Sequence, residues 1–400
     1  MITILDKTYC CGCGACDQIC PKQCIILQTD KEGFIYPVVN KDACVNCGLC
    51  EKVCPELTDS NKRYPLKVVA SINSNEQIRK NSSSGGIFSL LAEWIISQGG
   101  VVFGAKFNEK WEVVHDYTET IDGLSLFRGS KYVQSIIGDN YRKAELFLKA
   151  GRKVLFSGTP CQIMGLKGYL RTDYDNLLKI DFVCHGVPSP KVWQIYLNEA
   201  KEKFAHRSVD GKNSVLSPKF MSFITGINFR DKLSGWKKYS FSLSFANASA
   251  AGEENAVFHS DKFYENLYMQ AFLADLTLRP SCYNCPAKAG KSGSDITIGD
   301  FWGIEHIVPE IDDDKGVSLV MIHNLKYENV FSSAQLLDAQ YEDAVRYNPS
   351  IEKSVGEPIY RGLFFKTLLK RKRFDAAYNT TISKKFLKRV RRIIYRKLGI

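Results

Sequence analysis

Long apolar runs are missing from this sequence of 400 residues, and no stretch reaches the length that a membrane-spanning helix requires. The N-terminus has no basic segment followed by an apolar run, so we predict no secretory signal. No G-x-G-x-x-G motif follows a strand pattern, which argues against a Rossmann nicotinamide site. The segment from Gly158 to Lys167 is not a P-loop, because its interval is wrong and no Ser or Thr follows the lysine. With 44% hydrophobic and 24% charged residues, the composition is that of an ordinary soluble globular protein.

Acidic residues are almost absent from the C-terminal end of the chain. Residues 361–400 contain 14 Lys and Arg and a single acidic residue, Asp375, which gives this segment a net charge of +13. The total charge is +11, so the rest of the chain carries −2. Because the body has no basic excess, we predict no nucleic-acid partner.

The end of this basic segment has the pattern of an amphipathic helix. Leu387, Val390, Ile394 and Leu398 recur at helical spacing, and Lys and Arg fill most other positions from 384 to 400. Such a helix can lie on an anionic membrane surface, or it can dock on the body of the protein or on an acidic partner. The predicted location is therefore cytoplasmic, with peripheral contact to the inner face of the membrane through this helix.

Cysteine is the informative residue type. Fourteen cysteines in a chain without an export signal argue for metal ligation in a reducing cytoplasm, not for disulfides. Eight form two runs of C-x2-C-x2-C-x3-C, each followed by proline: Cys10, Cys13, Cys16 and Cys20, then Cys44, Cys47, Cys50 and Cys54. In the two-cluster bacterial ferredoxin pattern, the fourth cysteine of each run ligates the other run's cluster.

We therefore predict two [4Fe–4S] clusters with interleaved ligands. One takes Cys10, Cys13, Cys16 and Cys54, and the other takes Cys44, Cys47, Cys50 and Cys20. Gly14 and Gly48 follow the second cysteine of each run and allow the backbone to approach the cluster. A pair of zinc sites is the alternative, but zinc frameworks place ligands in pairs, not in triplets followed by Cys-Pro. Cys11 and Cys24 fall outside the spacing and are predicted to be plain thiols.

The pattern of strands and helices predicts an α+β or mixed α/β protein with a small ferredoxin-like domain at residues 1–60. Two short strands, at 24–28 and 34–39, separate the cysteine runs. From residue 66, strand, loop and helix alternate, which favours a mixed α/β domain. We assign its N-terminal part to residues 66–205 and its C-terminal part, with an antiparallel β insertion at 208–260, to residues 206–330. Residues 331–400 are predicted to form a helical basic tail.

Only four cysteines lie beyond the ferredoxin region, and four is the ligand count of one cubane. Cys161 and Cys184 each follow a predicted strand, at the sheet edge where α/β folds bind ligands. Cys282 and Cys285 form a C-x2-C pair with proline directly behind. We interpret the four as ligands of a third [4Fe–4S] cluster. A structural zinc site and buried inert cysteines remain the alternatives.

Five motifs carry a resemblance to a known family. They are Ser83-Ser84-Gly85-Gly86, the segment from Gly129 to Ser135, the segment from Gly158 to Gln162, Cys184-His185-Gly186, and the segment from Gly299 to Gly303. As a set they resemble the coenzyme F420 hydrogenase/dehydrogenase beta-subunit family, over residues 1 to about 325. Members of that family are flavoproteins with iron–sulfur clusters, so the resemblance implies that the mixed α/β domain binds FAD beside the third cluster.

Several residues suit a flavin site. Ser83, Ser84, Gly85 and Gly86 open a helix, where free N–H groups favour a phosphate, although serine capping explains the same pattern. The other candidates are Lys131 and Gln134 for charge neutralisation, Gly158 and Thr159 for backbone contacts to the flavin ring, and Asp300 for cofactor orientation. Their alternatives are a solvated loop and a strand-end cap. His185 is a candidate proton donor or cluster hydrogen-bond donor, with a core histidine as the alternative.

The sequence thus predicts an iron–sulfur flavoprotein oxidoreductase. A donor protein or partner redox subunit delivers electrons to the ferredoxin clusters, which pass them through the third cluster to FAD and on to a small organic hydride acceptor, coenzyme F420 or another molecule. The alternative is an electron-transfer subunit that serves a separate catalytic partner and has no substrate site of its own. The sequence does not identify the acceptor.

Overall fold

The computed structural model describes residues 1–58, 60–205, 222–248 and 254–382. The predicted amphipathic helix at 384–400 and part of the 208–260 insertion therefore lie outside the described residues. Within the described ranges, no helix combines the length and the apolar character needed to cross a membrane.

The described residues form thirteen strands. They are β1 (Ile25–Thr29), β2 (Ile35–Val39), β3 (Lys67–Asn73), β4 (Val101–Phe107), β5 (Val113–Thr118), β6 (Val154–Gly158), β7 (Leu177–Phe182), β8 (Ser222–Asp231), β9 (Ser240–Ala248), β10 (Glu254–Lys262), β11 (Ile296–Asp300), β12 (Ser318–Ile322) and β13 (Ala334–Asp338). The helices are α1 (Ala15–Gln18), α2 (Leu49–Lys52), α3 (Glu76–Asn81), α4 (Ile87–Ser97), α5 (Asn140–Lys149), α6 (Pro160–Leu170), α7 (Pro190–Ala205), α8 (Leu267–Leu273), α9 (Tyr341–Tyr347), α10 (Arg361–Arg371) and α11 (Phe374–Thr381). Short 3-10 turns join several of them.

The centre of the fold is an eight-stranded mixed sheet in the order β13-β3-β12-β11-β7-β6-β4-β5. The four strands β4, β6, β7 and β11 run parallel, and the strands outside them pair antiparallel. Because β3 is antiparallel to β12, and β12 to β11, β3 points the same way as the parallel four. The carboxyl ends of five strands therefore meet at one edge, where α/β folds place ligands.

Helix α4 covers one face of this sheet. Its apolar positions Ile87, Leu91 and Ile95 are buried against strand residues such as Val102 and Ile180. The i, i+4, i+8 spacing puts these three side chains on one side of the helix. The opposite face, at β4 and β6, packs against α5, α6 and the ferredoxin region.

The ferredoxin region contains a two-stranded hairpin, β1 and β2. Each cysteine run also contains one short helix, α1 in the first run and α2 in the second. This region docks on α6 through two glycines that lie about one helical turn apart. A Cβ atom on Gly165 would sit 2.8 Å from the Cβ of Cys13, and one on Gly168 would sit 2.6 Å from the carbonyl oxygen of Val53. The absence of side chains at these two positions lets the cluster-binding loops reach the helix.

The insertion is a separate three-stranded antiparallel sheet, β10-β9-β8, as the alternating pattern predicts. Its aromatic residues pack with Trp193 of α7 and Tyr268 of α8 in the largest apolar cluster of the described residues. The C-terminal helices α10 and α11 close this cluster with Phe364 and Phe374.

Two sequence predictions need correction. Cys161, placed in a loop by sequence, lies in the first turn of α6, because Pro160 opens the helix and Thr159 and Gln162 form a capping box around its first turn. The region from residue 331, predicted as a helical tail, contains β13, which pairs with β3 at the edge of the main sheet. The mixed α/β class with an N-terminal ferredoxin-like region is confirmed.

Candidate functional site

The first group of cysteines brings both ferredoxin runs together. The thiol of Cys16 is next to Cys10 and Cys54, and burial together with these neighbours raises its pKa. Cys13 is likewise next to Cys16 and Cys54. The fourth cysteine of the second run thus lies near the first three of the first run, and the interleaved ligand sets stay a prediction. Gly14 precedes α1 in the left-handed conformation, with φ of 74°, so the turn that places Cys13 and Cys16 favours glycine.

The second group lies around a cavity lined by Cys20, Cys44, Cys47 and Cys50. The backbone N–H of Ile2 donates to Cys50 Sγ at 3.4 Å, a contact typical of cluster ligands. Cys47 is exposed, whereas the cysteines of the first group are all buried. Solvent therefore reaches this end of the ferredoxin region and not the other.

The four distal cysteines also converge. Burial raises the pKa of Cys184 to about 11, with Cys161 adding to the effect. Burial raises the pKa of Cys285 to about 12, with Cys161 and Cys184 adding. Cys282 is next to the other three, and its Sγ accepts the backbone N–H of Val187 at 3.4 Å. Thiols with raised pKa values stay protonated at neutral pH, and a bound metal is one of the partners that would favour their deprotonation.

In the described part of the chain, no group of three or more His, Cys, Asp or Glu side chains has the arrangement that holds a metal ion.

Cys11, which the spacing left as a plain thiol, lies between the first and third groups. The thiols of Cys13 and Cys161 both act on its pKa, which is raised well above its ordinary value. Thr159 Oγ1 also contacts the Cys161 thiol, at 3.3 Å from its Sγ. Sequence could not show this role of Cys11, because residue 161 reaches it only when α6 docks against the ferredoxin region.

Arg279 is a second residue that sequence reasoning missed. It is fully buried and donates to the carbonyl oxygen of Cys10 at 2.7 Å, to that of Ile35 at 2.8 Å and to Gln134 Oε1 at 3.0 Å. Its Nη2 also lies 3.5 Å from Cys10 Sγ. The same residue begins the turn that carries Cys282, whose N–H donates to the Arg279 carbonyl oxygen at 3.0 Å.

Three of the predicted flavin residues lie beside the cysteine groups. Gln134 is buried and joins Arg279 to the ferredoxin backbone, since its Nε2 donates to the carbonyl oxygen of Cys11 at 3.1 Å. Gly158 ends β6, and Thr159 caps α6 directly before Pro160 and Cys161. These positions fit contact with the third cysteine group as well as with a neighbouring cofactor.

The other predicted flavin residues form a separate group at the carboxyl edge of the sheet. Ser83 Oγ accepts from the backbone N–H of Ser130 at 2.7 Å, which brings the 83–86 turn against the loop of Lys131. Ser84 Oγ donates to the carbonyl oxygen of Val317, and Gly85 N–H donates to Ser318 Oγ. A Cβ on Gly85 would overlap the carbonyl oxygen of Ser71, so any substitution there disturbs the sheet itself.

Two half-buried lysines in this group have no carboxylate acceptor among their hydrogen bonds. Lys131 Nζ donates to the carbonyl oxygens of Phe127, Arg128 and Gly129. Lys232 Nζ donates to those of Arg79, Ser84 and Lys315. Burial lowers the pKa of each lysine to about 7. Such lysines favour an anion in their vicinity, because a negative charge offsets the cost of burying theirs.

Asp300 stands at the end of β11, but its carboxylate is already engaged. It forms an ion pair with Arg230 at 2.9 Å and accepts from Trp236 Nε1 at 2.8 Å. The Arg230 guanidinium lies 3.8 Å from the centre of the Tyr239 ring, and Trp236 stacks on Trp302 at 5.0 Å. Asp300 therefore orients the Arg230 guanidinium and the Trp236 ring, and its role in cofactor orientation stays a prediction.

His185 pairs with Asp275, with 2.5 Å between Nε2 and Oδ1. Its ring also meets Phe272, which stacks on Tyr132 at 4.7 Å. This chain of rings connects the loop of Cys184 to the loop of Lys131. The contacts fit both a positioned proton donor and a structural histidine, and the role of His185 remains a prediction.

Two family models match the chain. Residues 151–344 match the model for the C terminus of the coenzyme F420 hydrogenase/dehydrogenase beta subunit, and residues 9–57 match a 4Fe-4S dicluster domain. Among solved structures, one chain of the xenon-derivatised F420-reducing [NiFe] hydrogenase complex from Methanosarcina barkeri is 15% identical, with a TM-score of 0.42, over 79% of this chain and 91% of that chain. No curated protein sequence matched.

Proposed function

The chain belongs to the coenzyme F420 hydrogenase/dehydrogenase beta-subunit family and carries a 4Fe-4S dicluster domain, and from this premise we propose that it is an iron–sulfur flavoprotein oxidoreductase. Electrons would enter at the ferredoxin clusters and leave to an organic hydride acceptor at a flavin. When bound, the clusters supply one-electron transfer, and FAD couples it to two-electron chemistry.

The residues that would hold the clusters are the three cysteine groups. The first is Cys10, Cys13, Cys16 and Cys54; the second is Cys20, Cys44, Cys47 and Cys50; the third is Cys161, Cys184, Cys282 and Cys285. The convergence of the third group, with Cys11 joining Cys13 to Cys161, is the observation that carries the proposal. This arrangement supports a path for electrons from the ferredoxin region to the carboxyl edge of the main sheet.

The residues that would hold FAD are those around the 83–86 turn. Lys131 and Lys232 would offset the charge of its phosphates or of the reduced ring, and their burial would make that interaction stronger than in water. Arg230 is held by Asp300 at the same edge and would add a planar cation beside aromatic rings. Ser83 and Ser84 would fix the turn and not bind the cofactor directly, since their hydroxyl groups contact Ser130 and Val317.

The decisive experiment is anaerobic purification followed by iron, sulfide and flavin counts. Three filled cubanes require about twelve irons per chain, and Cys282→Ala should lose about four of them and keep the N-terminal pair. The N-terminal pair of clusters is the internal control, because its eight cysteines are unchanged in this variant and should keep about eight irons. An unchanged iron count in Cys282→Ala would contradict the third cluster, and a preparation without FAD would contradict the flavoprotein assignment.

A second candidate is an electron-transfer subunit without its own substrate site. The matched family description, which names a beta subunit, favours it. The two candidates differ in one measurement, the turnover of small acceptors such as coenzyme F420 by the isolated chain under a low-potential donor. Turnover supports the enzyme, and activity that appears only with an added partner protein supports the electron-transfer role.

A further inference from the structure

Arg279 is the one arginine in the described residues that contacts a proposed cluster ligand. Its guanidinium touches both the backbone and the Sγ atom of Cys10, and it lies 4.4 Å from the centre of the Tyr36 ring. Gly12 packs closely against it, since a Cβ there would lie 2.7 Å from Nη1. The guanidinium is therefore held rigidly between the ferredoxin loop and the turn of Cys282.

The charge of Arg279 is not offset by any of the groups that accept its hydrogen bonds. Those acceptors are two carbonyl oxygens, one amide oxygen and one thiol. Arg361 offers the contrast, because it also ties the ferredoxin region to the body and is also buried, yet it pairs with the carboxylate of Glu32 at 2.6 Å. The two arginines thus share an anchoring role, but only Arg361 donates to a carboxylate. Arg279 interacts with the carboxyl group of Glu56 without a hydrogen bond to it, and burial raises the pKa of that carboxyl to about 7, which favours its neutral form.

Charge and burial act in opposite directions on the first cysteine group. Reduction adds one electron to a cluster and no proton, so the reduced cluster is more negative than the oxidised one. Burial disfavours that extra charge and lowers the reduction potential, and the first group is buried whereas Cys47 of the second group is exposed. A fixed guanidinium in a low-dielectric site favours the reduced form and raises the potential.

We propose that Arg279 raises the reduction potential of the ferredoxin cluster held by Cys10, Cys13, Cys16 and Cys54, and thereby makes electron flow from the exposed cluster toward the body favourable. Arg279 is a positioning residue in this role, because it acts on the cluster through its charge and its hydrogen bonds to Cys10. The inference rests on the proposed ligand set of the first cluster. It does not depend on a third cluster or on FAD.

The test is a redox titration of the ferredoxin clusters by electron paramagnetic resonance, with Arg279→Gln, Arg279→Lys and the control Arg361→Met. All variants are made in full-length Cys282→Ala protein, so that a third cluster does not contribute to the spectra. Arg279→Gln removes the charge and keeps an amide donor for the Cys10 carbonyl oxygen. Arg279→Lys keeps the positive charge but cannot make all the contacts of the guanidinium. If Arg279→Gln does not retain iron, the potentials are compared between Arg279→Lys and the protein with Arg279.

The expected result is a shift of one of the two midpoint potentials to a more negative value in Arg279→Gln, with a smaller shift of the same potential in Arg279→Lys. Arg361→Met should leave both potentials in place. Unchanged potentials in the Arg279 variants that retain iron would overturn the proposal. Equal shifts of both potentials, or the same shift in Arg361→Met, would also overturn it, because either result means that the arginine acts only by docking the domain. Failure of the proposed function is distinguishable, because it appears as missing flavin or third-cluster iron in the unsubstituted protein, before any arginine is changed.

Discussion

Single residues at the carboxyl edge show how burial prepares a site for an anion. Lys131 and Lys232 lie beside the 83–86 turn, and burial holds the pKa of each near 7. Asp300, the nearby acid that sequence singled out, is engaged by Arg230 and Trp236. The net charge of this group therefore depends on whether Lys131 and Lys232 are protonated. A bound anion favours their protonated, positively charged forms.

From this we predict that FAD affinity falls as pH rises above about 7. In the free protein the two lysines lose their protons near that pH. A bound anion raises the pKa of each lysine, so at higher pH the lysines must take up protons when FAD binds. Binding therefore weakens as the pH rises. Lys232→Met should weaken binding about tenfold at pH 6.5, which corresponds to about 1.4 kcal/mol, and should flatten the pH dependence.

The measurement is flavin binding to flavin-depleted protein, followed by flavin fluorescence from about pH 6.5 to about pH 9, a range that brackets the lysine pKa values. Lys149→Met is the control, because Lys149 is an exposed lysine paired with Glu145 on α5. An affinity that does not vary with pH in the unsubstituted protein would contradict the prediction.

At the scale of the element, α6 holds the two halves of the protein together. Its first turn carries Cys161, its capping box fixes that turn, and Gly165 and Gly168 accept the ferredoxin loops. One helix therefore sets the position of a distal cysteine relative to Cys11 and Cys13.

We predict that Gly165→Ala destabilises the docked ferredoxin region by about 1–3 kcal/mol, because the added methyl group overlaps Cys13. The temperature at which cluster absorbance disappears should fall. Gly362→Ala in α10 is the control: no atom lies within 4 Å of its added methyl group, so a helix propensity gain of about 0.5–1 kcal/mol is expected. Equal thermal stability in the two variants would show that the Gly165 contact is not what limits docking.

At the scale of the whole molecule, charge is concentrated in the C-terminal segment, of which residues 384–400 lie outside the described structure. We predict that the full-length chain sediments with anionic liposomes at low salt, because each basic residue near the surface contributes about 1 kcal/mol. High salt should release it, and truncation before residue 384 should abolish sedimentation while iron and flavin stay unchanged. Full-length protein that remains in the supernatant at low salt would favour a protein partner for the tail.

The sequence by itself determined whatever depends on short-range spacing. The dicluster region and the two strands between its cysteine runs were predicted correctly, because ligand intervals and apolar alternation are local properties of the chain. The count of four distal cysteines indicates one further site, and that site stays a prediction. Loop residues were harder, since Gln134 has the polar character of a cofactor contact but joins Cys11 to Arg279.

Only the tertiary structure decided which distant residues share a site. Arg279 meets Cys10 across 269 positions of sequence, and Lys232 meets Ser84 across 148. Neither pair leaves a local signal, because the contact forms only when the ferredoxin region and the insertion dock on the main sheet. For the same reason Cys11 is an isolated thiol in the sequence and the link between two cysteine groups in the fold.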